Sequence, residues 1–281
     1  MVGAEALTVI ANSGDDVEAY GIHVSPDPDL VTYWLADVID GRGYGIEGDT
    51  WEVMGALEAA GRPAWFRLGD RDLALCLIRT ELLRAGTRIT EAQAAVGRAL
   101  GVEAPVLPMS DEPVRTEVRA RGRWLPFQEY MILERAAAPV DGVAFRGADA
   151  ARPTAEVLRA LAGADAIVIG PSNPVASIRP ILAVPGMSEA IAGAAAPVVA
   201  VSPFVGGRSV KGPSELFCAH AGIALSATGV AGAYERLLDG LVADEPAETV
   251  PTLETDTLMD SADARRRLAE SILEFAGSLR S

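Results

Sequence analysis

The chain has 281 residues, long enough for one large domain or two small ones. Apolar residues make up 49% and aromatics only 5%, so the core must be built from Ala, Val, Leu and Ile, which suits helices on a parallel sheet better than an all-β fold. Acidic residues outnumber basic ones 39 to 24, a net charge of −15, and this argues against a nucleic-acid partner, which needs a basic face.

Leu7-Thr8-Val9-Ile10-Ala11 is apolar, β-branched and ended by Asn12-Ser13-Gly14, the pattern of a short interior strand with a neighbour on each side. Asp15 and Asp16 follow at its C-terminal edge, where open α/β sheets bind ligands, and Ser25-Pro26-Asp27-Pro28-Asp29 comes close behind. Four carboxylates gathered there suit a hard divalent cation, although the same residues also make ordinary turns.

Helical spacing then runs over residues 30–39, 50–60, 70–85 and 90–100, with Asp49 and Asp70 as N-cap candidates and Gly61, Gly86 and Gly101 as stops. Residues 102–107, 114–120 and 124–129 switch to strand period, with a hairpin signal at Arg121-Gly122-Arg123. A helix at 155–162 leads into Ala166-Ile167-Val168-Ile169-Gly170, the plainest buried parallel strand, and a helix at 187–194 leads into a strand at 197–202. Residues 262–279 read as a terminal helix. The expected fold is a single α/β domain over 1–281, a Rossmann-like parallel sheet flanked by helices, with a helical insertion at about 40–102 and a small antiparallel section.

Two cysteines without a C-x-x-C pattern, Cys76 and Cys218, read as buried thiols in a reducing compartment. No apolar run reaches the roughly 18–20 residues of a membrane span and no signal-peptide pattern precedes the first strand, so a cytoplasmic protein without a membrane partner is expected. His23 and His220 show no Ser/Asp arrangement in the sequence, which leaves a hydrolase triad unsupported. Two sheet-edge loops stand out. Gly170-Pro171-Ser172-Asn173-Pro174 is equally a rigid connector or a ligand loop, while Ser202-Pro203-Phe204-Val205-Gly206-Gly207, with Arg208 and Lys211 close behind, offers close backbone approach and charge to a phosphate.

Taken in order, Gly69-Asp70-Arg71-Asp72, Leu107-Pro108-Met109-Ser110-Asp111, Phe127-Gln128-Glu129-Tyr130, the two loops just named and Lys211-Gly212-Pro213 resemble the 2-phospho-L-lactate transferase (CofD-like) family over about residues 7–245. The resemblance implies transfer of a phospholactyl-type group from a GDP-activated phospho-acid donor to the hydroxyl of 7,8-didemethyl-8-hydroxy-5-deazariboflavin, with release of GMP, in coenzyme F-420 biosynthesis. It implies Mg²⁺ or Mn²⁺ with Asp15 and Asp29 as preferred ligands and catalytic residues, Asp16 and Asp27 being nearby alternatives. It also assigns Asp29, Arg67 and Arg71 to the deazaflavin acceptor, and Ser172, Asn173, Ser177, Gly206, Lys211 and Gly212 to the nucleotide. A homodimer is expected.

The chain departs from the family pattern in two places. Pro28 and Leu30 flank Asp29 where the family reads Pro-Asp-Leu-Asp-Thr, removing a hydroxyl beside that ligand. Family members also open with a strand and a Gly-Gly-x-Gly loop ahead of Leu7, so in-frame upstream sequence encoding both is expected, and the 281-residue form is expected to be poorly soluble or inactive. Two alternatives follow: a non-catalytic nucleotide- or deazaflavin-binding protein, and a relative of the same fold with a cell-wall role, against which the Gly69 and Phe127 motifs stand. Phospholactate, phosphoenolpyruvate and phosphoglycerate donors differ by groups too small for the sequence to separate.

Overall fold

The computed structural model describes residues 3–210 and 212–279 and is α/β throughout. It divides into two compact units, one of residues up to Ala138 with Val143–Thr154, the other of Pro139–Gly142 and the chain from Ala155 onward.

The N-terminal unit opens with β1 (Val9–Ala11), a hairpin of β2 (Val17–Ala19) and β3 (Ile22–Val24), and α1 (Pro26–Leu35). Helices α2 (Glu52–Ala59), α3 (Asp70–Arg84) and α4 (Ile89–Ala99) fill most of the expected insertion. β4 (Val106–Pro108) then pairs in parallel with β1, Ile10 opposite Leu107. β5 (Arg115–Ala120) and β6 (Arg123–Pro126) form the expected hairpin, and β7 (Gly142–Arg146) lies on the other side of β5. Two-residue turns with both residues at positive φ, Tyr20-Gly21 and Arg121-Gly122, close the two hairpins and match the twist of their strands.

α1 begins four residues earlier than its apolar spacing suggests, because Pro26 and Pro28 fit a first turn whose N–H groups need no helical partner. Leu7 is exposed and Val9 and Ile10 are half-buried, so β1 is not the doubly flanked strand its composition indicates; β4 is its one neighbour among the described residues. Tyr33, Leu75 and Val96 bring α1, α3 and α4 into one core, and Ile22, Val24 and Cys76 seat α3 on the first hairpin.

The C-terminal unit carries α5 (Ala155–Ala162), β8 (Ile167–Ile169), α6 (Arg179–Leu182), α7 (Met187–Ala192), β9 (Val198–Val201), the short hairpin β10 (Phe204–Val205) and β11 (Arg208–Ser209), α8 (Ser214–Ala221), α9 (Ala227–Ala233), β12 (Gly240–Ala243), β13 (Thr252–Glu254) and α10 (Ala262–Ser278). Its sheet is parallel, in the order β13-β12-β9-β8. β8 is therefore an edge strand with Val168 exposed, while β9 and β12 are buried along their whole length. α10 covers that centre with Leu268, Ile272 and Ala276, and it approaches so closely that a Cβ on Gly240 would stand 2.7 Å from Phe275. Among the described residues no helix is long and apolar enough to cross a membrane.

Candidate active site

β1 ends at Ala11, and the chain turns at once into a loop pinned from three sides. Asn12 Oδ1 accepts from Gly14 N at 2.8 Å, Gly14 O accepts from Thr116 N on β5 at 2.8 Å, and Asn12 Nδ2 donates to Asp27 Oδ2 at 3.0 Å. Gln128, from the Phe127-Gln128-Glu129-Tyr130 motif, donates to Asp15 O at 3.4 Å. A plain surface turn would leave its carboxylates in water; Asp15 and Asp16 are each only 5% exposed, and Asp29 is 3% exposed.

Asp15 Oδ1 and Asp16 Oδ1 are buried without a hydrogen-bond partner. Burial pushes the Asp15 carboxyl well above the usual carboxylate range, and the charge of Asp27 adds to this against the Asn12 hydrogen bond. Asp27 is pushed up to about 6 by burial, again against Asn12, with Asp16 adding. Burial also raises Asp29, opposed by Arg79 and reinforced by Asp16. The four acids singled out in the sequence thus stand close enough to work against one another, and two of them carry oxygens that nothing in the fold satisfies. Clustered, buried and unsatisfied, those oxygens are of the hard type that a divalent cation such as Mg²⁺ or Mn²⁺ takes as ligands.

Two further side chains, His23 and Arg79, add to this site. His23 Nε2 lies 2.9 Å from Asp16 Oδ2 and 3.1 Å from Ser25 Oγ, so one histidine does have an acid and a hydroxyl beside it, contrary to the sequence reading; β3 brings them together. Arg79, on α3, has no exposed surface, and its guanidinium donates to both oxygens of Asp29 and to Gln93 Oε1. The signal for Arg79 was its place in the buried stripe with Cys76 and Thr80, where a lone cation needs a partner. Asp29, Asp72 and Cys76 also gather within 4.8 Å, but Asp72 and Cys76 already have partners: Tyr33 Oη donates to Asp72 at 2.7 Å and the Cys76 thiol points at Asp72 from 3.8 Å. Burial lifts Asp72 to about 6.

The Gly69-Asp70-Arg71-Asp72 motif performs a reciprocal capping that sequence spacing misassigns. Asp49, expected to cap the helix after it, accepts from Arg71 N and Asp72 N at the start of α3. Asp70, expected to cap its own helix, accepts from Glu52 N and Val53 N at the start of α2, and from Thr50 Oγ1. Gly69 makes room, since a Cβ there would lie 2.2 Å from the Asp49 carboxylate. Gly69→Ala should expel that carboxylate and cost about 1–2 kcal/mol, a capping loss measurable by urea unfolding; wild-type stability would show that the two helices do not depend on the exchange. Arg67 pairs with Glu58 at 2.5 Å and lies 5.4 Å from the Trp51 ring, while Arg71 Nη1 donates to Glu47 O.

In the C-terminal unit, Ser172, Asn173 and Ser177 follow β8, and Gly206 follows β9 in the β10–β11 turn at φ +56°. Gly212 precedes α8 at φ +73°, and Lys211 lies outside the described residues. Asn173 is already partly committed, because its Oδ1 accepts from Val175 N and Ala176 N to start a π-helical turn over Pro174–Ile178, a cap in which Nδ2 takes no part. Asn173→Ala should therefore lower both the melting temperature and GDP affinity, the cap alone being worth about 1 kcal/mol. Calorimetry giving unchanged GDP affinity in a destabilised protein would confine Asn173 to the cap.

A family model described as 2-phospho-L-lactate transferase CofD matches residues 2–270. The chain belongs to the CofD family. Among curated CofD relatives, a phosphoenolpyruvate transferase of Streptomyces griseus is 40% identical over 98% of this chain and 91% of its own length. A 2-phospho-L-lactate transferase of Methanocaldococcus jannaschii is 35% identical over 99% and 93%. A solved Bacillus halodurans protein of 18% identity, covering 95% of this chain and 91% of its own, superposes with a TM-score of 0.60, which supports the fold. Membership makes the chain a CofD-type transferase, in line with the sequence resemblance.

Proposed function

We propose that this chain moves a phosphoenolpyruvyl or 2-phospho-L-lactyl group from a GDP-activated donor to the hydroxyl of 7,8-didemethyl-8-hydroxy-5-deazariboflavin, releasing GMP, in coenzyme F-420 biosynthesis. The observation that carries this reading is the family match across nearly the whole chain, with relatives of both transferase names. The acceptor oxygen bonds to the phosphorus that bears the three-carbon acid, the bridging P–O bond breaks, and its electron pair leaves on GMP. The acceptor proton is released.

Such a transfer is mostly positioning and charge neutralisation. Asp15, Asp16, Asp27 and Asp29 would hold Mg²⁺ or Mn²⁺, with Asp15 and Asp29 as the preferred ligands. When bound, the cation offsets the negative charge of the pyrophosphate. That answers a difficulty set by the sequence, since a protein of net charge −15 otherwise repels an anionic donor. Asn12 and Gln128 keep the acidic loop in place by binding Asp27 and the Asp15 carbonyl. Arg67 and Arg71 are proposed for the acceptor, and Ser172, Asn173, Ser177, Gly206, Lys211 and Gly212 for the guanine nucleotide.

The test is mass spectrometry of the product formed from the deazaflavin with each of the three activated donors, with and without excess chelator. One donor should give a product heavier by its phospho-acid group, and chelator should abolish it. GDP and deazaflavin binding with no product from any donor would favour a binding protein, and full turnover in chelator would remove the metal from the proposal.

A further inference from the structure

Arg79 is the most deeply buried charged side chain of the N-terminal unit, and its bonds form a chain through three helices. The guanidinium on α3 grips both oxygens of Asp29 in the first turn of α1, and Nη2 donates to Gln93 Oε1 on α4 at 3.0 Å. Gln93 Nε2 returns to α1 by donating to Thr32 Oγ1 at 3.0 Å, and Thr32 Oγ1 donates to Pro28 O at 2.7 Å. The turn so tied also carries Asp27, which Asn12 joins to the acidic loop. Asp16 interacts electrostatically with both Asp29 and Arg79, which puts the ion pair at the margin of the acid cluster.

A buried ion pair is a poor source of stability, because desolvation consumes most of the Coulombic gain and apolar residues of similar volume fold as well or better. What the guanidinium supplies that an apolar contact does not is direction. Its planar fork sets both oxygens of a carboxylate at once, and a lysine in its place holds only one point.

We propose that Arg79 is a positioning residue of the cation site: it orients the Asp29 carboxylate and, with Gln93, the first turn of α1, so that Asp29 and Asp27 stand where the cation needs them. The inference rests on the cation reading given above. It separates from a simple charge effect by sign. A nearby positive charge by itself weakens cation binding, so deleting it should tighten binding, whereas loss of positioning should weaken it.

The experiment is calorimetric titration of the full chain with Mn²⁺ alone, for wild type, Arg79→Lys, Arg79→Met, Gln93→Leu and Val96→Ala, with a melting curve for each. Arg79→Lys, which keeps the charge but not the fork, should bind Mn²⁺ about tenfold or more weakly, in the range of other substitutions behind a metal ligand. Gln93→Leu should shift affinity the same way by a smaller factor. Val96→Ala opens a cavity in the same core, where Val96 is fully buried, and should lower the melting temperature while leaving Mn²⁺ affinity within about threefold of wild type. Arg79→Lys and Gln93→Leu carry the test if Arg79→Met does not fold. Folded Arg79→Lys and Gln93→Leu proteins with wild-type Mn²⁺ affinity would overturn the proposal. So would tighter binding by Arg79→Met, or a loss in Val96→Ala equal to that in Arg79→Lys. A wild-type protein that takes up no Mn²⁺ would overturn the cation reading itself, and this inference with it.

Discussion

Asp15→Asn should leave the metal-free protein as stable as wild type or more so, while abolishing cation binding and lowering turnover. The two effects run in opposite directions for one reason. Asp15 is buried with an unpartnered Oδ1 beside Asp16 and Asp27, so in the free protein its charge is a cost to the fold. An amide of the same shape removes that charge and offers its neighbours a hydrogen-bond donor, a relief of about 1 kcal/mol or more. In the proposed cation site the same change removes an ionised ligand, and a turnover loss of roughly 100-fold or more is the scale expected when one charge-stabilising group is removed. Chemical unfolding in chelator, paired with Mn²⁺ titration, reads both quantities on one preparation. A clearly destabilised Asp15→Asn protein that still binds Mn²⁺ would mean that the carboxylate belongs to the fold and not to a site.

How far the sequence revealed this molecule depended on the range of the interactions involved. Helices α5 and α10 and strands β8 and β9 fall within a residue or two of their expected bounds, because period, caps and flanking glycines are local signals. The acidic loop was likewise legible: Asn12-Ser13-Gly14 had to end a strand, and the acids after it had to sit at that edge. Long-range partnerships escaped it. Asp49 and Asp70 look like two ordinary N-caps until α2 and α3 stand side by side, when each is found serving the other's helix across about twenty residues of chain. Arg79 shares a face of α3 with Cys76 and Thr80, but neither that spacing nor the place of Gln93 on α4 tells which carboxylate meets them, since Asp29 lies 50 residues from Arg79 in the chain. His23 escaped for a similar reason, since the β2–β3 turn folds it back onto Asp16 seven residues upstream. Strand rank is also non-local. The β-branched run in β8 reads as the interior of a sheet, yet strand order puts it at the edge, with Val168 exposed and the burial passed to β9 and β12.

That partnership changes what substitution of Asp29 should do. At an exposed metal ligand, an Asp-to-Asn change would damage turnover far more than stability. In the structure the Asp29 carboxylate is the counter-charge of a guanidinium with no access to water, so removing it strands a cation in the core. Breaking one side of such a pair costs about 3–5 kcal/mol, and Asp29→Asn should lose stability on that scale as well as activity. Arg79→Met strands the carboxylate instead and should be damaging in the same way. Replacing both, as in Asp29→Leu/Arg79→Met, removes the two charges together and should recover most of the lost stability, because an apolar pair of this volume is about as good for the core. The double-mutant cycle, built on Asp29→Leu and Arg79→Met singly and together and measured by urea unfolding with the m-value monitored, should therefore give a coupling of a few kcal/mol, well above the ~0–1 kcal/mol of an exposed pair. Single variants within ~1 kcal/mol of wild type, or a double variant as unstable as the sum of its parts, would show that the pair does not hold α1 to α3.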